Sequence, residues 1–234
     1  MRSLDHGDPA LFLLAEMAED IHERLAFLRH PGGEVLIEGY DAGEVSQGPW
    51  QVNAEFSYST LVDLDDTLAF GAASFDLVVS VNSLDTVNDI PGALIQMRSL
   101  LKPGGLAIAT FIGGASLPRL RAAMMAADGD RPAARIHPMV DSRAAPQLLQ
   151  RAGWSDPVVD THTVKVRYPS IDRLVQDLRD QALGNTLADP GPPLGKAALA
   201  RARAAFLESA DADGKVTETF EIVTLTGRRS LAGT

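Results

Sequence analysis

The stretch Phe75–Phe111, "FDLVVSVNSLDTVNDIPGALIQMRSLLKPGGLAIATF", decides the fold. It opens on Phe75–Val81, a near-continuous apolar run with β-branched residues. Such a run suits a strand buried on both faces of a parallel sheet. Asp89 then stands before a segment of helical period, where an acid serves the first free N–H groups of a helix. Lys102-Pro103-Gly104-Gly105 reads as a helix stop and turn. Leu106–Ile112 is the next buried strand. Strand, helix and strand within about forty residues make a right-handed βαβ unit.

Working outward, residues 10–29 read as an amphipathic helix, with Phe12, Met17, Ile21, Leu25 and Leu28 at helical spacing. Pro31-Gly32-Gly33 stops it, and Val35–Glu38 is a first strand. On the other side, a helix is expected at 142–152, a strand at 158–166 and a helix at 171–182. Residues 188–195, "ADPGPPLG", form a rigid loop. An alanine- and arginine-rich helix at 196–209 and the turn "DADGK" lead into the strand 216–227. Its alternation marks an antiparallel edge or hairpin partner. The tail after it is expected to fray.

The chain has 234 residues, of which 45% are hydrophobic, enough for one sizeable α/β domain with a buried core. A net charge of −10 argues against nucleic acid as a partner. No apolar run approaches the roughly 18 residues of a membrane helix. The N-terminus has neither a basic lead-in nor a small-residue cleavage site, so a signal peptide is not expected and the cytoplasm is the default compartment. There is no cysteine, and no Asp/Glu/His spacing suggests a metal site.

The order and spacing of the apolar strand, the "ND-P" turn, the helix ending in "LLKPGG" and the next strand resemble the second half of a class I S-adenosylmethionine (SAM) dependent methyltransferase. The N-terminal "FLLAEMAEDIHERLAFL" and the later "FIGGASLPRLR", "HPMVDSRAAPQLLQRAGW", "VRYPSIDRLVQDLR" and "DGKVTETFEI" are similar to the methyltransferase-like complex I assembly factors. That family is related to the methyltransferase of early biotin synthesis. The resemblance implies an α/β, Rossmann-like, mostly parallel sheet of seven strands with an antiparallel C-terminal strand. SAM would lie over the carboxyl ends of the first strands. One domain spans 1–234: an N-terminal helix (1–30), a Rossmann-like core (34–112), a C-terminal substrate-side half (113–227) and a tail (228–234).

The first loop, "VLIEGYDAG" (Val35–Gly43), departs from the family's acid-x-Gly-x-Gly-x-Gly. Ile37 stands where the acid is expected, and Asp41 replaces the middle glycine. Gly39 and Gly43 remain. Leu84-Asp85-Thr86 replaces a "LHW" segment, and Ala115 replaces the acid of a "GGDTL" segment. The cofactor-side candidates are therefore Gly39, Asp41, Gly43, Glu55, Asn82 and Asp85. Glu55, or Asn53 without charge, is the nearest group to the acid that would end strand two and hold the ribose. Asn82 and Asp85 sit at the carboxyl end of a central strand, where such sheets bind ligands. The resemblance also marks His137, Tyr168, Arg179 and Asn185 as substrate-side candidates, although loop structure, packing or capping explains each as well. Asp63, Asp65 and Asp66 read as a solvated acidic loop. No catalytic residue is assigned.

Length adds an independent argument. Thirty-six residues, 39–74, separate the first strand from the Phe75 strand. Three crossovers and two strands need about 40–46. The first half is thus expected to be eroded between residues 44 and 62. Uncovered apolar surface there, from Trp50, Phe56, Tyr58 and Leu61, would favour a homodimer or a protein partner. The functional expectation is a methyltransferase-family protein with a degraded loop, weak or lost SAM binding and a binding or assembly role, in effect a pseudoenzyme. The alternative is an active SAM-dependent methyltransferase acting on a small-molecule or protein acceptor.

Overall fold

The computed structural model describes residues 11–39, 55–59 and 70–231, the second of these by its backbone alone. Asp41, Gly43, Asp63, Asp65, Asp66, Trp50 and Leu61 lie outside the described residues, as does most of the segment expected to be eroded. Nothing is described of the Phe56 and Tyr58 side chains.

Among the described residues the strands are β1 (Glu34–Gly39), β2 (Glu55–Ser59), β3 (Phe75–Val81), β4 (Leu101–Ile112), β5 (Ser155–Tyr168) and β6 (Val216–Arg228). The helices are α1 (Phe12–Phe27), α2 (Ile90–Leu100), α3 (Pro118–Asp128), α4 (Ala145–Arg151), α5 (Ile171–Asp180) and α6 (Lys196–Leu207). The strand order is β2-β1-β3-β4-β6-β5. Strands β2, β1, β3 and β4 run parallel, and β6 runs antiparallel to β4 with Leu106 opposite Arg228 and Ile112 opposite Ile222. This is the mixed, mostly parallel sheet that the sequence implies. A seventh strand has no counterpart among the described residues.

The chain divides into two compact units. One holds residues 14–114, 139–162 and 222–234. Its core sets Leu36, Val78, Ala107, Ala109 and Phe111 of the sheet against Leu94 and Met97 of α2 and Leu149 of α4. Trp154 joins them, and its indole N–H donates to the Leu94 carbonyl at 3.0 Å. Gly227 makes room, since a Cβ there would lie 2.4 Å from the indole. Helix α2 starts where expected: the Asp89 carboxylate accepts from the Gly92 N–H at 2.9 Å, and Pro91 occupies the first turn. Strand β4 begins at Leu101 rather than 106. Gly104 takes a left-handed conformation inside it (φ +81), so "KPGG" is an irregularity of the strand and not a stop before it. In α1 the buried face is Leu14, Met17, Ile21 and Leu25, whereas Leu28 lies beyond the helix end and is exposed.

The second unit holds residues 1–13, 115–138 and 163–221. It contains α3, which the sequence reading did not find, together with α5 and α6. Gln181 is buried there, with its side-chain carbonyl accepting from the Leu13 N–H at 2.9 Å. The Phe12 and Phe220 rings meet edge to face with centroids 6.0 Å apart.

Candidate functional site

The carboxyl ends of β1 and β3 lie side by side, Gly39 opposite Val81 and Glu38 opposite Ser80. Successive residues of a strand point to opposite faces, so Ile37 and Glu38 diverge. Ile37 is 0% exposed and forms part of the apolar core. Glu38 is also buried, and its Oε1 accepts from the Ser83 hydroxyl at 2.6 Å. The Ser80 and Ser83 hydroxyls are 2.9 Å apart. A hydroxyl carries one proton, and that of Ser83 goes to Glu38, so Ser80 donates to Ser83. The relay ties the end of β1 to the turn after β3.

Asn82 follows β3 in a left-handed conformation (φ +51), one that asparagine tolerates better than most residues. Its backbone N–H donates to the Thr110 carbonyl at 2.7 Å. The residue is 8% exposed, and its Oδ1 has no hydrogen-bond partner among the described residues. Asp85 is buried in the short 3-10 turn Leu84–Thr86 that follows. Glu38, Ser80, Asn82, Ser83 and Asp85 thus gather polar groups at the end of the sheet where such folds bind ligands.

Glu55 is a correction. It opens β2 instead of ending it, paired with Glu34 at the amino end of β1. It therefore lies at the opposite end of the sheet from Asn82 and Asp85. Gly39 has a structural reason to be glycine. Its φ is +108, and an added Cβ would lie 2.0 Å from the Val81 carbonyl oxygen. The close approach that requires glycine is to the neighbouring strand. Glu38 was missed by the sequence reading, although an acid inside "VLIEG" is the signal that finds it.

The substrate-side candidates all belong to the second unit. Tyr168 is buried beside the Asp177 carboxylate. Burial and the neighbouring carboxylate push the phenol above its ordinary value. Burial likewise raises Asp177, against the pull of Arg173, whose guanidinium lies 2.7 Å away. His137 is buried, whereas Arg179 is exposed in the last turn of α5, where a cation suits the helix dipole. Asn185 is a loop tie: its Nδ2 donates to the Ala134 carbonyl at 2.8 Å and its Oδ1 accepts from the Leu187 N–H at 3.1 Å. Among the described residues no group of His, Asp and Glu is arranged to hold a metal ion, and no helix is long and apolar enough to cross a membrane.

The Glu38 relay supports a stability prediction. Ser83→Ala removes a short hydrogen bond to a buried carboxyl and costs about 1.5–3 kcal/mol. Ser80→Ala leaves the contact to Glu38 in place and costs about 1 kcal/mol. Urea unfolding of both variants measures the difference. Equal losses would deny the direction of the relay.

The family described as "Methyltransferase domain" matches residues 15–157. Among curated proteins, the human arginine-hydroxylase NDUFAF5, mitochondrial, is 34% identical over 173 residues, which cover 72% of this chain and 50% of that protein. The malonyl-acyl-carrier-protein O-methyltransferase of Halorhodospira halophila is 35% identical over 154 residues, covering 64% of this chain and 50% of its own. The chain spans about half the length of these relatives. Among solved structures, the YcgJ protein of Bacillus subtilis superposes with a TM-score of 0.51 at 10% identity, covering 92% of this chain and 100% of its own, a likeness of fold alone. The sheet order and a match over more than half its length agree on one assignment: the chain belongs to the methyltransferase-domain family, in keeping with its resemblance to class I SAM-dependent methyltransferases.

Proposed function

We propose that this chain is a methyltransferase-family protein whose SAM site is degraded, and that it works mainly as a binding or assembly module. One observation carries the reading: Ile37, where the resemblance places the acid of the first loop, is wholly buried in the apolar core. It has no group to accept a hydrogen bond from the ammonium of SAM. Glu38, the adjacent acid, points to the other face and is engaged by Ser83. Glu55 is at the wrong end of its strand to hold a ribose. The described residues at the end of β1 thus lack the acids of a SAM site. The resemblance to the complex I assembly factors, together with the similarity to NDUFAF5, supports a protein as the thing bound.

A second reading, an active methyltransferase on a small-molecule or protein acceptor, draws support from the buried Oδ1 of Asn82, which has no partner among the described residues, and from the buried Asp85 beside it. Methyl transfer asks chiefly for alignment of donor and acceptor, so missing acid–base groups do not exclude it. Calorimetric titration with SAM and S-adenosylhomocysteine separates the two. Each lost charged contact weakens binding about tenfold to a hundredfold, so no isotherm is expected at about 100 µM ligand. A low-micromolar isotherm abolished by Asp41→Ala would overturn the first reading and favour the second.

A further inference from the structure

Two segments of the second unit carry a local charge opposite to that of the chain. Residues 118–136 and 196–207 hold seven of the 21 basic residues and only two of the 31 acidic ones, in a protein of net charge −10. Arg119, Arg131, Lys196, Arg201 and Arg203 are exposed. Some of this charge is already answered. Arg135 pairs with Asp128 at 2.7 Å, and Arg203 with Asp172 at 2.8 Å. The rest is not neutralised by these pairs. Arg121 donates to the Ser116 carbonyl, and Arg201 to the carbonyls of Ala126 and Ala127 at the end of α3, contacts that leave both positive charges standing.

Apolar surface lies within this field. Arg121, Met125 and Asp128 recur at helical spacing along one stripe of α3. Met125 is 71% exposed. A shallow cavity of about 210 Å³ opens beside it, lined by Met124, Ile136 and Pro132 among others, with Arg121 and Arg135 also on its wall. Methionine is flexible and polarisable, and suits surfaces that accept an apolar side chain from outside.

We propose that this face of α3, with the turn that follows it, docks an acidic amphipathic helix of a partner protein. One apolar side chain of that helix enters the groove beside Met124 and Met125, and its carboxylates meet Arg121 and Arg131. The charge of the whole chain selects this occupant over a polyanion or a membrane. Outside the basic face the chain is more acidic than its net charge, so an extended nucleic acid or an anionic bilayer is repelled by the surroundings. A folded partner with a local acidic patch touches the basic face alone. The helix-in-groove mode matches a stripe of helical period with an apolar centre. The inference is independent of whether SAM binds.

The probe is a fluorescently labelled helical peptide of about 20 residues, with glutamates on one face and leucines on the other. Its anisotropy is followed on titration with the full chain. Saturable binding is expected, weakening about tenfold between about 0.05 and about 0.5 M salt. Arg121→Glu with Arg131→Glu is expected to weaken it about tenfold or more, and Met125→Ser about threefold. Met125 and Arg131 are exposed and Arg121 is half-buried, and unchanged circular-dichroism melting shows that the variants remain folded. The same peptide with glutamine for glutamate is expected not to bind. Phosphatidylserine–phosphatidylcholine vesicles and a single-stranded oligonucleotide are expected not to bind either. Absence of saturable peptide binding, indifference to the arginine reversals, or tighter binding of vesicles or oligonucleotide than of peptide would each overturn the proposal.

Discussion

Gly39→Ala is expected to lower the stability of the protein severely. At φ +108 an alanine is strained by itself, at about 1–3 kcal/mol. The larger effect is contact. The new methyl carbon would stand 2.0 Å from the Val81 carbonyl oxygen and 2.8 Å from its carbon, both backbone atoms of the neighbouring strand. A flexible side chain moves aside, but a central strand paired on both sides does not. Strain and clash together reach about 4 kcal/mol or more, a large part of the roughly 5–15 kcal/mol that holds a domain. Gly184→Ala is the control. It has no atom within 4 Å of the new carbon and no positive φ, so a change within about 0.5 kcal/mol is expected. Thermal unfolding of the two variants decides. A Gly39→Ala protein that melts like wild type would mean that the strand ends are farther apart than described, and would return Gly39 to a purely ligand-side role.

The sheet's centre was legible because its signals are local. The apolar runs at 75–81 and 106–112 need no partner to be recognised, and Asp89 stands where a helix cap belongs. The alternation in 216–227 announced an antiparallel strand. What stayed hidden depends on contacts distant in sequence. "KPGG" looks like a turn, yet the Gly104 N–H donates to the Arg229 carbonyl and the Arg229 N–H to the Gly105 carbonyl, which holds the segment in the strand. Helix α3 has a broken apolar stripe and no local cap: Leu117 precedes it in a left-handed conformation without any side-chain hydrogen bond. Its start is fixed by Glu218, 98 residues away from Leu120.

The candidate site divides in the same way. Asn82 and Asp85 were found because they follow a recognisable central strand, and both prove buried at its carboxyl end. Glu38 was passed over because its partner, Ser83, lies 45 residues on. Glu55 was assigned to the wrong end of its strand because the start of β2 carries no apolar run to mark it. Asn185 and Tyr168 were singled out by resemblance. Asn185 is held by its bond to the Ala134 carbonyl, and Tyr168 by burial beside Asp177.

Glu218→Ala is expected to cost about 3 kcal/mol or more, because three buried or half-buried backbone donors lose their acceptor together. The Glu218 carboxylate accepts from the N–H groups of Leu120 at 2.8 Å, Thr219 at 2.9 Å and Arg119 at 3.3 Å. Two of these are at the start of α3, whose dipole favours an anion there. The neighbouring backbone does not supply a substitute: the Leu117 N–H is committed to the Thr219 carbonyl and the Glu221 N–H to the Ser116 hydroxyl. Glu218→Gln keeps one acceptor oxygen and is expected to lose about half as much. The two variants also differ from wild type in pH dependence. Burial raises the Glu218 carboxyl above its unfolded value of 4.5 in spite of the three donors. Folding therefore takes up a proton in the window above 4.5, and the contribution of this group to stability grows as pH falls from neutral. Glutamine does not titrate, so the penalty of Glu218→Gln is expected to widen from pH 7 towards pH 4.5. Urea unfolding of wild type and Glu218→Gln at several pH values measures it. A penalty that narrows as pH falls would show that the donors outweigh burial and hold the carboxylate charged.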